Sequence, residues 1–148
     1  METLKYQTEI NAFAEKVWDV LWNENTYPKW THFFSPDSKM VTDWQVGGKT
    51  YFTDGSRKNG MVSTIERVEE PKYLVFKHLG EIRDGLEDVD SDKVKAWNGS
   101  LEAYYLDEKD GKTTLKIEVD SNEDFKDMFD NGFHKGLEII KELSEKNQ

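Results

Sequence analysis

His78, Glu102 and a run of carboxylates between Glu81 and Asp92 are the residues of this chain best suited to chemistry. In "YLVFKHL" the alternation places Leu74, Phe76 and His78 on one face of a strand, and the two apolar members set that face inward. An imidazole among apolar rings has two readings. The commoner is a partly buried histidine tied to a backbone carbonyl; the sharper is a polar handle that orients a ligand oxygen inside a cavity. Acid–base catalysis would need a second titratable group in the same cleft. Glu102 shares a side with Tyr104 and Leu106 if its strand keeps register into the Asp110-Gly111 turn, and would then reach His78 across the sheet. On sequence alone the preferred reading leaves Glu102 outside, in water.

The stretch "EIRDGLEDVDSDK" (81–93) sets six carboxylates against two basic residues. Asp88, Asp90 and Asp92 match positions 1, 3 and 5 of a calcium loop, but Lys93 stands where the turn needs Gly and Gly99 where the site needs a bidentate Glu. A solvated loop of about twenty residues is the favoured reading, and loops of that length act as lids or are disordered. We expect a mobile lid at a pocket mouth, with Trp97 turned inward. The three histidines have no mutual spacing of a metal site, and there is no cysteine to supply thiolates, nucleophiles or disulfides. The G-x-S-x-G, P-loop and dinucleotide glycine patterns are absent. No cofactor and no metal are expected, and the preferred reading is a protein that is not an enzyme.

The elements that must position these residues are legible in the periodicity. "LKYQTEINA" alternates as a strand, and Val17, Trp18, Leu21 and Trp22 form one helical stripe after a cap at Asn11. "TYPKW" reads as a second short helix or turn. Six strands follow near 40–44, 49–53, 61–68, 73–79, 100–108 and 113–120, punctuated by glycine and proline turns. From Phe125 to Leu143 an apolar stripe runs for about five helical turns, opened by Ser121 and Asp124 as a capping box. The expected architecture is α+β: a curved antiparallel sheet of about seven strands around a long C-terminal helix, one domain over residues 1–148. Gly132 and Gly136 lie on the buried stripe, each costing about 0.8–1.0 kcal/mol relative to Ala, so something must approach the helix backbone there. Among the tryptophans, Trp18 and Trp44 are assigned to packed core, Trp30 and Trp97 to a pocket rim.

A net charge of -10 disfavours nucleic acid and anionic membrane surfaces. No stretch has the ~20 apolar residues of a membrane span, and "METLKYQTEI" lacks the features of a signal peptide. A cytoplasmic monomer is expected.

Three stretches carry a family resemblance over nearly the whole chain. "AEKVWDVLWNENTYPKW" is similar to an A-x-x-V-W-x-x-L…W opening, "GMVSTIERVEEPKYLVFKHLG" resembles a G-x-V-x-x-I…P-x-x-L-x-F-x-W hairpin, and "DGKTTLKIEV" a G-T-x-L-x-L final strand. They identify the chain with the START-like helix-grip (SRPBCC) superfamily, in the branch resembling the C-terminal domain of activators of the heat-shock-protein-90 ATPase. His78 stands where many relatives have Trp, and Phe133 where the aromatic is often Trp. The resemblance implies a helix-grip fold with a pocket between helix and sheet. The leading expectation is therefore a protein that binds an apolar or lipid-like small molecule, with Trp30, Phe76, His78, Trp97, Tyr104, Phe125, Phe129 and Phe133 lining the site. A chaperone-associated module is the first alternative, ranked lower because the chain leaves no room for the extra N-terminal domain of the eukaryotic activators. A cyclase- or hydrolase-like enzyme using the same pocket is the second.

Overall fold

Alternation between Leu4 and Ile10 makes the first strand, β1 (Glu2–Ile10), which buries Leu4, Tyr6 and Ile10 and turns its polar residues outward. The computed structural model describes residues 1–146. After β1 come α1 (Ala14–Trp22), α2 (Tyr27–Thr31), β2 (Lys39–Thr42), β3 (Lys49–Thr53), β4 (Gly60–Glu69), β5 (Tyr73–Arg83) and β6 (Leu86–Asp88). Then follow α3 (Asp92–Lys95), β7 (Leu101–Lys109), β8 (Lys112–Ser121), a 3₁₀ turn (Glu123–Phe125) and α4 (Lys126–Glu145). The strands form one antiparallel sheet in the order β1-β8-β7-β5-β4-β3-β2, with β6 paired to the far end of β5. No helix among the described residues is long and apolar enough to cross a membrane.

The long helix packs against β1, α1 and α2. Its buried residues Phe133, Leu137 and Ile140 follow the expected spacing, and the two glycines between them admit close neighbours. A Cβ on Gly132 would lie within van der Waals overlap of the Phe34 ring, and one on Gly136 would meet the Trp30 carbonyl oxygen at 2.9 Å. Under the helix, Trp22 gathers Phe76, Tyr104, Tyr27 and Trp30 at ring-centroid distances of 4.9–6.4 Å. These edge-on and stacked contacts are the geometries that ring quadrupoles favour.

Several expectations about the elements are corrected. The acidic run is not an unpaired loop: β5 continues to Arg83, Asp84-Gly85 turns with both residues at positive φ, and β6 pairs back on Glu81–Arg83 as an eighth strand. Asp88 Oδ1 then accepts from the N–H groups of Asp90 and Ser91, Ser91 Oγ caps α3, and Val94 is fully buried. Asn11 does not cap α1. Its N–H donates to Glu145 Oε2 at 2.9 Å, while Glu108 Oε1 receives the Ala14 N–H of the first helical turn at 2.7 Å. Nor do Ser121 and Asp124 form a capping box, since the Ser121 hydroxyl donates to the Asn122 carbonyl and a 3₁₀ turn precedes α4. Trp44 lies past the end of β2 at φ 61° and is 39% exposed, at the edge of the ring cluster beside Trp18 rather than within the core.

Candidate ligand-binding cavity

A cavity of about 670 Å³ lies between α2, α4 and the concave face of the sheet. Its size falls in the 300–1,000 Å³ range of small-molecule sites. Aromatic side chains form a large part of the wall: Tyr27, Trp30 and Phe34 from the α2 region, Phe52 and Tyr104 from the sheet, Phe129 and Phe133 from α4. The exposed wall residues Met1, Lys39, Asn59, Lys93, Phe125 and Met128 ring its opening.

One connected set of polar side chains is built into the sheet beside this apolar space. Ser63 on β4 pairs with His78 on β5, and their side chains meet at 2.6 Å between Oγ and Nδ1. His78 Nε2 is 3.0 Å from Glu102 Oε1 on β7, and the Tyr104 hydroxyl donates to Glu102 Oε2. An ionised carboxylate only accepts, so Nε2 carries the proton and the Ser63 hydroxyl is left to complement Nδ1. The Glu102 side chain is 17% exposed, and it is exposed on the cavity wall. The sequence preference for Glu102 in water is therefore corrected: its strand does keep register, and His78 and Tyr104 supply the hydrogen bonds that make burial of the carboxylate tolerable.

Burial, and then the charge of Glu102, push the Tyr104 phenol far above its ordinary range. The same two causes act on Tyr27, in that order, so both phenols are neutral donors at every working pH. The Tyr27 hydroxyl makes no hydrogen bond to any described residue, although Tyr27 is only 8% exposed and lies on the cavity wall. The Ser-His-Glu order resembles a nucleophilic triad. Ser63, however, is fully buried behind His78 and off the cavity wall, so its hydroxyl has no route to a bound molecule. What the arrangement can do is hold His78 in one orientation and present a carboxylate edge, an imidazole and phenols to a guest.

A β-bulge sets this geometry. Val62 pairs with Gly80 and Ser63 with His78, which leaves Leu79 as an extra residue in β5. The extra residue resets the alternation, so His78 and Glu81, three positions apart, both border the cavity. Glu81 meets Lys93 at 3.3 Å, which ties the start of α3 to the mouth.

Of the eight residues expected from sequence, Trp30, His78, Trp97, Tyr104, Phe125, Phe129 and Phe133 border the cavity. Trp30 is a deep wall rather than a rim, with its Nε1–H donating to the Leu21 carbonyl at 3.0 Å. Phe125 is half-exposed at the mouth. Phe76 is off the wall: Phe52, 4.9 Å away between ring centroids, stands beside it and Phe76 is fully buried. Sequence reasoning missed Tyr27, Ser63 and Glu81. The "TYPKW" helix was the available signal for Tyr27, whereas nothing in the alternation announces the bulge that turns Glu81 inward.

Residues 11–145 match the family described as Activator of Hsp90 ATPase homolog 1-like protein. No curated protein matches the chain. Among solved structures, the chain is similar to the Aha1 dimer from Colwellia psychrerythraea, at 15% identity and a TM-score of 0.72, covering 100% of this chain and 99% of that one. It is also similar to MLL2253 from Mesorhizobium loti, at 18% identity, 99% coverage of both chains and a TM-score of 0.70. A third likeness is to CalU16 from Micromonospora echinospora, at 17% identity and a TM-score of 0.67, covering 98% of this chain and 66% of that one. At these identities the likeness speaks to fold.

Proposed function

The chain belongs to the Activator of Hsp90 ATPase homolog 1-like family, and from that premise we propose that it binds an apolar small molecule in the cavity between α4 and the sheet. The observation that carries this reading is the volume of about 670 Å³, largely apolar in its wall, with His78, Glu102 and Tyr104 as one connected polar group among its lining residues. A dry void of that size would cost about 16 kcal/mol at about 24 cal/mol per Å³, as much as the 5–15 kcal/mol net stability of a typical domain or more. The space is therefore occupied by water or by a guest, and an apolar wall favours the guest. Trp30, Trp97, Phe125, Phe129 and Phe133 supply apolar contact, and the Glu81–Lys93 tether makes the segment before Trp97 a cover for the mouth. Native mass spectrometry of freshly purified protein, with thermal shifts across an apolar library, tests the proposal. A co-purifying small molecule or a saturable rise in Tm supports it; empty spectra and no shift anywhere in the library overturn it.

The family's name favours a second reading, a chaperone-associated module. Co-purification with an Hsp90-type ATPase, or a change in that ATPase's turnover on addition of the protein, would support it. The His78–Glu102 distance of 3.0 Å favours a third, a cyclase- or hydrolase-like reaction in the same cavity. Turnover of a bound molecule that is lost in Glu102→Gln would mark it.

A further inference from the structure

We propose that the floor of the cavity is a hydroxyl subsite, in which the Tyr27 phenol donates to a ligand hydroxyl oxygen and Glu102 accepts that hydroxyl's proton in a hydrogen bond. The inference rests on the binding reading above and names the class of ligand: an apolar molecule, ring-bearing to match the walls, carrying a phenol or alcohol.

Two unused hydrogen-bonding capacities meet here. The Tyr27 O–H has no partner among the described residues, yet its residue is nearly buried on the cavity wall. The oxygen itself is not buried away from the cavity, so a guest that accepts from it takes the place of water and gains a net hydrogen bond of about 0.5–1.5 kcal/mol. Glu102 receives one hydrogen bond on each oxygen, from His78 and from Tyr104. A carboxylate has about four lone-pair sites, so roughly two stay open. Tyr27 and Tyr104 both pack on Trp22, at centroid distances of 6.4 and 4.9 Å, which brings the two phenols to one end of the cavity. The Glu102 charge is also felt at Tyr27, in keeping with their nearness.

The pairing selects a functional group. A ketone or ether accepts from Tyr27 but offers nothing to Glu102. A carboxylate would oppose the Glu102 charge. A hydroxyl both accepts and donates, and so satisfies the two protein groups at once. His78, held between Ser63 and Glu102, fixes the carboxylate plane and acts as a positioning residue.

Ligand-detected NMR titration of the full chain with 2-naphthol, 2-methoxynaphthalene and naphthalene tests this. Two hydrogen bonds at about 0.5–1.5 kcal/mol each predict a preference for 2-naphthol over naphthalene of about fivefold to a hundredfold, and the one bond that the ether cannot make, to Glu102, predicts a preference over the methyl ether of about twofold to tenfold. Tyr27→Phe should lower the preference of both oxygen-bearing probes over naphthalene, and Glu102→Gln should bring the 2-naphthol-to-ether ratio towards one. Should Glu102→Gln fail to fold, Tyr27→Phe decides alone, since it deletes only an oxygen. Equal affinity for all three probes in the unaltered protein overturns the hydroxyl subsite and leaves the binding reading standing. A preference for 2-naphthol over naphthalene that persists undiminished in Tyr27→Phe also overturns it. No binding of any probe overturns both.

Discussion

Replacing Tyr27 by Phe should make the protein more resistant to alkali, by an amount that follows from where its hydroxyl lies. A phenol has an ordinary pKa of 10, and burial beside Glu102 lifts that of Tyr27 well above it. The raised pKa belongs to an acid that is neutral when protonated, so above pH 10 the unfolded chain releases a proton that the folded chain keeps. Stability therefore falls as pH rises, with a limiting slope of about 1.4 kcal/mol per pH unit for each such group. At pH 11 the Tyr27 contribution is about 1.4 kcal/mol. Tyr6 and Tyr104 are raised as well and remain in the variant, so alkali still weakens it, but less steeply. Urea unfolding of both proteins at pH 8 and at pH 11, followed by tryptophan fluorescence, gives the double difference directly. We expect the gap between the two proteins to shift by about 1.4 kcal/mol in favour of the variant on going to pH 11. An unchanged gap would refute the reasoning, because it would mean that the Tyr27 phenol ionises as freely in the folded protein as in the unfolded one.

Gly136→Ala should destabilise the protein by about 1–3 kcal/mol in urea melts, since its new Cβ would press on the backbone carbonyl of Trp30 at 2.9 Å, which cannot swing aside. Gly132→Ala would drive its Cβ into the edge of the Phe34 ring, which packs on Phe133 and Phe129 and must shift to make room. We expect a loss of about 1–3 kcal/mol in the same melts, and, because Phe34 also borders the cavity, a lower affinity for 2-naphthol. Glu145 is held below its ordinary 4.5 by the Asn11 N–H and then by Lys141. Its stabilisation is present above that value and lost as pH falls through the folded pKa, so Glu145→Gln should flatten the acid limb of a Tm-against-pH curve below about pH 4.5. Lys93→Ala removes an exposed ion pair worth about 0–1 kcal/mol. Tm should hardly move, whereas stopped-flow release of a bound probe should quicken if the Glu81–Lys93 tether covers the mouth.

The long helix and most strands are legible in the sequence because each buries one face, and burying one face writes a period of 3.6 or 2 into the chain. The acidic run hides its strand for the converse reason. Leu86 is exposed and is the one apolar residue of β6, so the strand carries no apolar alternation, and only the Asp84-Gly85 turn signals it. That turn has the same two residues as Asp110-Gly111, which does announce the hairpin of β7 and β8. Glu102 fails on sequence for a different reason. A carboxylate next to Leu101 and Ala103 reads as solvent-facing on a charge criterion, and what reverses that reading is a histidine 24 positions away on the neighbouring strand. The pairing cannot be inferred from either residue's local context. It depends on β5 and β7 aligning Phe76 with Glu102, and on the Leu79 bulge letting Ser63 sit opposite His78. Burial of a charge is then decided by partners and not by residue type: with two donors on its oxygens, Glu102 occupies a wall that the sequence assigns to rings. The same rule explains why the Tyr27 hydroxyl, on the cavity wall and without such a partner, is a place where a guest gains a hydrogen bond.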